Sequence, residues 1–293
     1  MRLSSLSDTY HLHLQLSNIF PIIKETSSTA LSSRSLRALT AASTVTDEEL
    51  DQLGDLYYQN QLGERGCDRP KLLQDLVPRF PCVRGVIPIG TSSKMSIFDG
   101  HKFACGVRAI SQAPIVYSFG SNKDQTFEES FLRLRQDAKI FIFEMSKNKL
   151  PNKRLPSIEY HVMGLGYRKG SHFRSLRATM QMLNHQYIDV LKMDIEGSEW
   201  DFVHEEADLL RNIGQFLVEL HLGMDEQSAE KEVGSPRNWL ELIENKGNMR
   251  LFFKKPNIID EEKCVFQAHY TELSFIQKNW GVWDKNKMEL MLK

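Results

Sequence analysis

From about residue 113 onward, the apolar positions of the chain fall into short blocks whose spacing alternates between two periods. Residues 115–119 are a mostly apolar block of strand length, closed by Gly120. Over residues 126–136, Phe127, Phe131 and Leu134 recur at i, i+4 and i+7, the spacing of a helix with one buried face. The alternation continues with strands predicted at 139–145 and 159–165 and a helix at 175–185 that aligns Leu176, Met180 and Leu183. A strand over 187–195, a helix over 199–210, a strand over 215–222 and a helix over 236–245 with a proline near its start follow. Two late strands, 250–254 and 264–275, are separated only by the turn-like segment 255–262, so they should pair antiparallel. Strands alternating with helices through short links specify an α/β domain, a parallel sheet covered on both faces. Five parallel strands and a terminal antiparallel hairpin, flanked by helices, make a Rossmann-like sheet.

The first 112 residues read differently. Residues 1–45 are rich in Ser and Thr and poor in acids, a composition that cannot build a core and predicts a disordered or targeting segment. It shares the Ser-rich, Arg-bearing character of a transit peptide but lacks a clear basic amphipathic face. The apolar stretch 12–23 is interrupted by His13, Gln15 and Asn18, unlike the core of a secretory signal. Residues 46–112 read as a helical and irregular cap on a domain spanning 113–293. Helices are expected over 47–62, opened by Thr46 with Glu49 as a capping pair, and over 71–76. A turn at Asp99-Gly100 would join two short strands.

Bulk properties exclude some partners. With 37 basic and 38 acidic residues the formal net charge is -1, so no global field attracts nucleic acid. No apolar run approaches the roughly 20 residues that span a bilayer, so no transmembrane segment is expected. The four cysteines, Cys67, Cys82, Cys105 and Cys264, show no zinc-like spacing. Cys82 and Cys105 would close a loop in an oxidising compartment and stay reduced otherwise.

The candidate chemistry lies where the predicted strands end. Gly120, with Phe119 before it and Ser121 and Asn122 after it, forms a small-residue corner where backbone N–H groups can approach a ligand. It lacks the GxGxxG spacing of a dinucleotide site and suits a nucleoside ligand without phosphate, such as S-adenosylmethionine. Glu144, followed by Met145, ends the next strand about 20 residues on, where a carboxylate can accept from both hydroxyls of a ribose. Gly164 closes the strand after that and is a candidate for the adenine pocket. The run Leu191-Lys-Met-Asp-Ile-Glu-Gly-Ser-Glu-Trp200 delivers Asp194 and Glu196 to the same rim, and strand pleating predicts that both face one side. Glu219 and His221 form a second such pair. Were the two strands neighbours, Asp194, Glu196, Glu219 and His221 would converge, either as a weak site for a hard divalent cation or as a base pair built on Asp194 and His221.

These residues resemble a known family. Tyr117-Ser-Phe-Gly120, Phe127-Glu128, the Asp-Ile-Glu-Gly segment at 194–197 and Glu219-Leu-His221 are similar to the methyltransferase-like protein 24 family, which is related to the FkbM-type methyltransferases. The resemblance runs from about Cys82 to the C-terminus. It implies a class I S-adenosylmethionine-dependent methyltransferase in which Ser118, Gly120 and Glu144 contact the cofactor and Asp194 sits beside the transferred methyl. It also implies entry into the secretory pathway and a disulfide between Cys82 and Cys105. The chain departs from many methyltransferases in carrying Ser118 where they place an acid. The expected function is O- or N-methylation of a small molecule, glycan or protein. Rivals are a non-catalytic binding or scaffold module of the same fold and, last, a divalent-metal hydrolase.

Overall fold

The computed structural model describes Leu76, Pro78, Cys82 and residues 85–90, 101–110, 112–167, 172–221, 236–260 and 265–279. Apart from Pro78 these belong to one compact unit, Cys67–Val77 with Cys82–Lys293. The segment 1–45, the helix expected over 47–62, residues 71–75 of the second expected helix and the Asp99-Gly100 turn lie outside the described residues.

The central sheet has seven strands. Five are parallel: β3 (Ile115–Phe119), β4 (Lys139–Glu144), β5 (Ile158–Val162), β8 (Ile188–Met193) and β9 (Ile213–His221). β10 (Met249–Asp260) and β11 (Val265–Gln277) form the antiparallel hairpin, and the order is β10-β11-β9-β8-β3-β4-β5. The order reverses between β3 and β8, so their carboxyl ends open a crevice at the switch point, where ligands bind in such sheets. β8 is buried along its whole length and β9 at all but its last residue, as expected of strands covered on both faces.

Among the described residues, four α-helices accompany the sheet: α1 (Thr126–Leu134), α2 (Leu176–Met182), α3 (Ser198–Glu206) and α4 (Pro236–Asn245). The helix read over 236–245 is observed with those bounds. α2 is shorter than the predicted 175–185 at both ends: Ser175 caps its start by accepting from the Ala178 N–H at 3.2 Å, and Asn184, with φ of +54°, turns the chain out of the helix after Leu183. The helix read over 199–210 is α3 followed by a 3-10 turn, Ala207–Asn212. The strand read over 159–165 divides at Met163: β6 (Gly164–Leu165) leaves the main sheet to pair with β7 (Phe173–Arg174). Aromatic rings fill the core, with Phe119 stacked on Phe143 at 4.4 Å and Trp200 against Trp239 at 5.7 Å.

A separate antiparallel ribbon, β1 (Val86–Ile89) with β2 (Lys102–Cys105), packs against β9 and β11. Its end is fixed twice. A Cys82–Cys105 disulfide closes it, and the Gln215 side chain accepts from the Cys105 N–H at 2.8 Å and donates to the Cys105 carbonyl at 2.7 Å. Closing a loop of 23 residues removes denatured-state entropy worth about 3 kcal/mol. Replacing both cysteines with alanine is therefore expected to lower the unfolding free energy by about that amount in urea titrations. Reductant should destabilise the parent by at least a similar amount.

Candidate functional site

The rim is assembled around Gly120. Its φ of +78° lies in the left-handed region, and a Cβ there would collide with the Asp194 carbonyl oxygen, so only glycine fits. This close approach lets the Gly120 N–H donate to the Phe143 carbonyl at 3.0 Å and the Asp194 N–H to the Phe119 carbonyl at 3.1 Å. The ends of β4, β3 and β8 are thereby stitched side by side. Glu144, buried at the end of β4, accepts through Oε2 from the N–H groups of Ser121 and Asn122, each at 3.2 Å. Through Oε1 it accepts from the Ser146 N–H at 3.4 Å.

The carboxylates after β8 are arranged by a turn and not by strand pleating, which corrects the expectation that Asp194 and Glu196 share a strand face. β8 stops at Met193, and Glu196 and Gly197 take φ of +58° and +100°. The Glu196 side chain consequently stands 73% exposed, though its Oε2 still comes within 3.6 Å of His221 Nε2. The turn is tied from inside by Glu199, which is fully buried. Its carboxylate accepts from the Ile195 and Gly197 N–H groups, both at 2.8 Å, and pairs with His221 Nδ1 at 3.0 Å. Burial alone would lower the His221 pKa; the Glu199 hydrogen bond and charge, then Asp194 and Glu219, reverse this and raise it to about 9. The shift favours the charged imidazole, which sits among the carboxylates of Glu199, Asp194 and Glu196.

β8 and β9 are neighbours, so Asp194, Glu219 and His221 do converge, offering one donor atom each within 4.8 Å of one another. Between the carboxylates lies the Lys102 ammonium of β2, 2.6 Å from Glu272 Oε1, 3.3 Å from Asp194 Oδ2 and 3.7 Å from Glu219 Oε2. Burial works against this charge, but Glu272, Asp194 and Glu219 together raise the lysine pKa above its ordinary value. Asp194 is also penalised by burial, yet Lys102 and then Lys192 hold its carboxyl well below the usual carboxylate range. Glu219 goes the other way: burial, reinforced by Asp194 and Glu272 against Lys102, pushes it up to about 8. The two carboxyls titrate as a pair, with their neighbours favouring the anion at Asp194 and the neutral form at Glu219.

These groups open on one hollow of about 650 Å³, within the usual range for a small-molecule site. Phe119, Gly120, Ser121, Asn122, Glu144, Met145, Gly164, Asp194, Glu196, Glu219 and His221 all line it, as the sequence reading expected. Ser118 does not: it is fully buried beneath the corner and faces Glu128. Glu128, on α1, reaches the hollow's wall, and burial raises its pKa. Tyr167 and Phe173 also line the hollow. Residues 168–171, 224–234 and 280–283 lie outside the described residues.

Lys102, Lys192, Glu199 and Glu272 had no role in the sequence reading, and Glu128 entered it only through the family resemblance. Lys192 and Glu272 carried one usable signal, a charge beside apolar residues, as in Leu191-Lys192-Met193 and Glu272-Leu-Ser-Phe275. Lys192 donates to the carbonyl oxygen of Gly120 and supports the corner from below.

A crevice at the switch point with acids on three strand ends marks the ligand-binding rim of a doubly wound α/β domain. Residues 57–276 match the family described as "Methyltransferase domain", and the chain belongs to it. It is 27% identical over 190 residues to the human "Probable methyltransferase-like protein 24", covering 56% of this chain and 50% of that protein. It is 32% identical over 124 residues to the rat protein of the same name, covering 38% of this chain and 33% of that one. The chain therefore spans half or less of the curated relatives it matches. Solved structures similar in outline include the 16S rRNA methyltransferase KamB, 14% identical with a TM-score of 0.36 over 58% of this chain and 91% of that one. Another is the StiE O-MT segment, 10% identical with a TM-score of 0.39 over 63% and 73%. Likenesses this distant carry no further weight. No helix among the described residues is long and apolar enough to cross a membrane.

The Glu199–His221 pair gives a pH dependence of defined sign. A raised histidine pKa contributes stability that is complete below the ordinary value of 6.5 and is lost as pH rises through about 9. Glu199→Gln is expected to move the His221 titration, followed by imidazole NMR, from about 9 toward its ordinary value and to flatten the decline of stability above neutral pH. An unmoved titration would remove Glu199 as its cause.

Proposed function

We propose that the domain transfers a methyl group from S-adenosylmethionine to an oxygen or nitrogen of a small molecule, glycan or protein. The observation that carries this reading is the meeting of Gly120, Glu144 and Asp194 on one hollow. The residues fit the cofactor's parts. Glu144 Oε1 keeps lone pairs for ribose hydroxyls while Oε2 fixes the corner. Met145, 52% exposed, and Phe173, 38% exposed, offer an apolar wall beside Gly164 for a purine base. When bound, the cofactor supplies an electrophilic methyl on a sulfonium.

The protein's task is to align the acceptor, exclude water and receive a proton. Asp194, with its side chain 29% exposed, is placed to accept the proton given up by an attacking hydroxyl or by the ammonium that an attacking amine becomes. Glu219, whose pKa burial raises, and His221, which Glu199 draws toward its charged form, are less suited to that role. Two features favour a second reading, a non-catalytic binding or scaffold module of the same fold: Ser118 offers the hollow nothing, and both Glu144 oxygens already accept from backbone N–H groups. Saturating S-adenosylmethionine that leaves the melting temperature unchanged would favour that second reading.

Glu144→Gln is expected to weaken S-adenosylmethionine binding about tenfold in calorimetry, a loss of about 1.4 kcal/mol. Asp194→Asn is expected to leave binding within about threefold and to reduce methyl transfer to a responsive acceptor at least about a hundredfold. Unchanged binding by the first variant would remove Glu144 from the ribose subsite.

A further inference from the structure

The methyl-transfer reading gives no task to the most unusual group of the rim, a lysine with 2% of its surface exposed. A lysine on a two-stranded ribbon can normally extend its stem and keep its ammonium in water. Lys102 instead points inward onto three carboxylates. Several restraints enforce this: its pairing with Ile89, the Cys82–Cys105 disulfide and the double hydrogen bond from Gln215 to Cys105. A ribbon held so firmly, with one buried charge at its tip, positions that charge.

The surroundings say what for. Charged groups close in from every packed element: Asp194 and Lys192 from β8, Glu219 and His221 from β9, Glu272 from β11, Glu196 and Glu199 from the turn and α3, and Lys255 from β10 on the side of Phe103 and His101. The set Asp194, Glu219 and His221 is the hard-oxygen and imidazole combination that suits magnesium or manganese. Lys102 already takes an oxygen of Asp194 and one of Glu219. An ammonium and a divalent cation at neighbouring positions would repel strongly.

We propose that Lys102 is a positioning residue that acts as the site's resident cation, filling among Asp194, Glu219 and Glu272 the role a divalent metal would otherwise take and holding Asp194 toward the hollow. Its significance for catalysis rests on the methyl-transfer reading; its competition with a metal does not.

Manganese is the probe, followed by electron paramagnetic resonance and by thermal unfolding, with the full chain as parent. Parent and Lys102→Arg are expected to bind no Mn²⁺ at about 0.1 mM. Lys102→Met should bind it at least about tenfold more tightly than the parent, and about 1 mM Mn²⁺ should raise its melting temperature by about 5 °C. Adding Asp194→Asn to that variant should abolish the gain. Because removing one member of a buried ion cluster can unfold a protein, a Lys102→Met, Glu272→Gln double variant is measured alongside and should behave the same way. Mn²⁺ binding of similar strength to parent and Lys102→Met overturns the proposal. So does failure of Mn²⁺ to bind or stabilise either methionine variant. A parallel S-adenosylmethionine titration of the parent separates the two ideas: its failure removes the methyl-transfer reading and leaves the manganese pattern to judge Lys102.

Discussion

The close approach of Gly120 to the Asp194 carbonyl is the constraint on which the rest of the rim depends. No side chain fits between them, so the turn after β3 lies directly on the turn after β8, and the N–H of Asp194 can reach the carbonyl of Phe119. Glu144 then reaches the corner's N–H groups from β4, and Lys192 meets the Gly120 carbonyl from beneath. Without that contact the three strand ends would be free to splay, and the hollow between them would lose its shared wall.

Packing brings acids together here, and charge decides what they become. Asp194, Glu219, Glu272 and Glu199 sit close to one another in surroundings that penalise each ionised form. The chain answers with cations from two directions, Lys102 from the ribbon and Lys192 from within β8, and with the imidazolium of His221 held by Glu199. The outcome is unequal: Asp194 is held toward its ionised form by Lys102 and Lys192, while burial pushes Glu219 up to about 8 and Glu272 up to about 7. Neighbouring groups with pKa values pushed apart divide the roles of anion and proton holder.

Most of the sheet was legible because its strands are buried on both faces and its helices carry a single apolar stripe, signals that survive within ten residues of chain. The helix over 236–245 and the antiparallel pairing of the last two strands were read directly. What was misread depends on contacts distant in sequence or on single backbone angles. The split after Val162 arises because β6 pairs with β7, and the shared face assigned to Asp194 and Glu196 failed at one left-handed residue. Lys102 lies 92 residues from Asp194 and 170 from Glu272, so no local pattern could join them. Glu199 was within reach: it was read as the start of a helix, and its grip on its own turn and on His221 needed the fold to be seen. The disulfide, left open by spacing and implied by resemblance, is present between Cys82 and Cys105.

The most direct measurement is a crystal structure of the chain with S-adenosylhomocysteine, the product of the proposed transfer. The account requires ribose hydroxyls on the Glu144 carboxylate, the purine beside Met145 and Phe173, and the sulfur facing Asp194. A nucleoside bound elsewhere on the chain, or one in the hollow with its ribose turned from Glu144 and its sulfur away from Asp194, would contradict it.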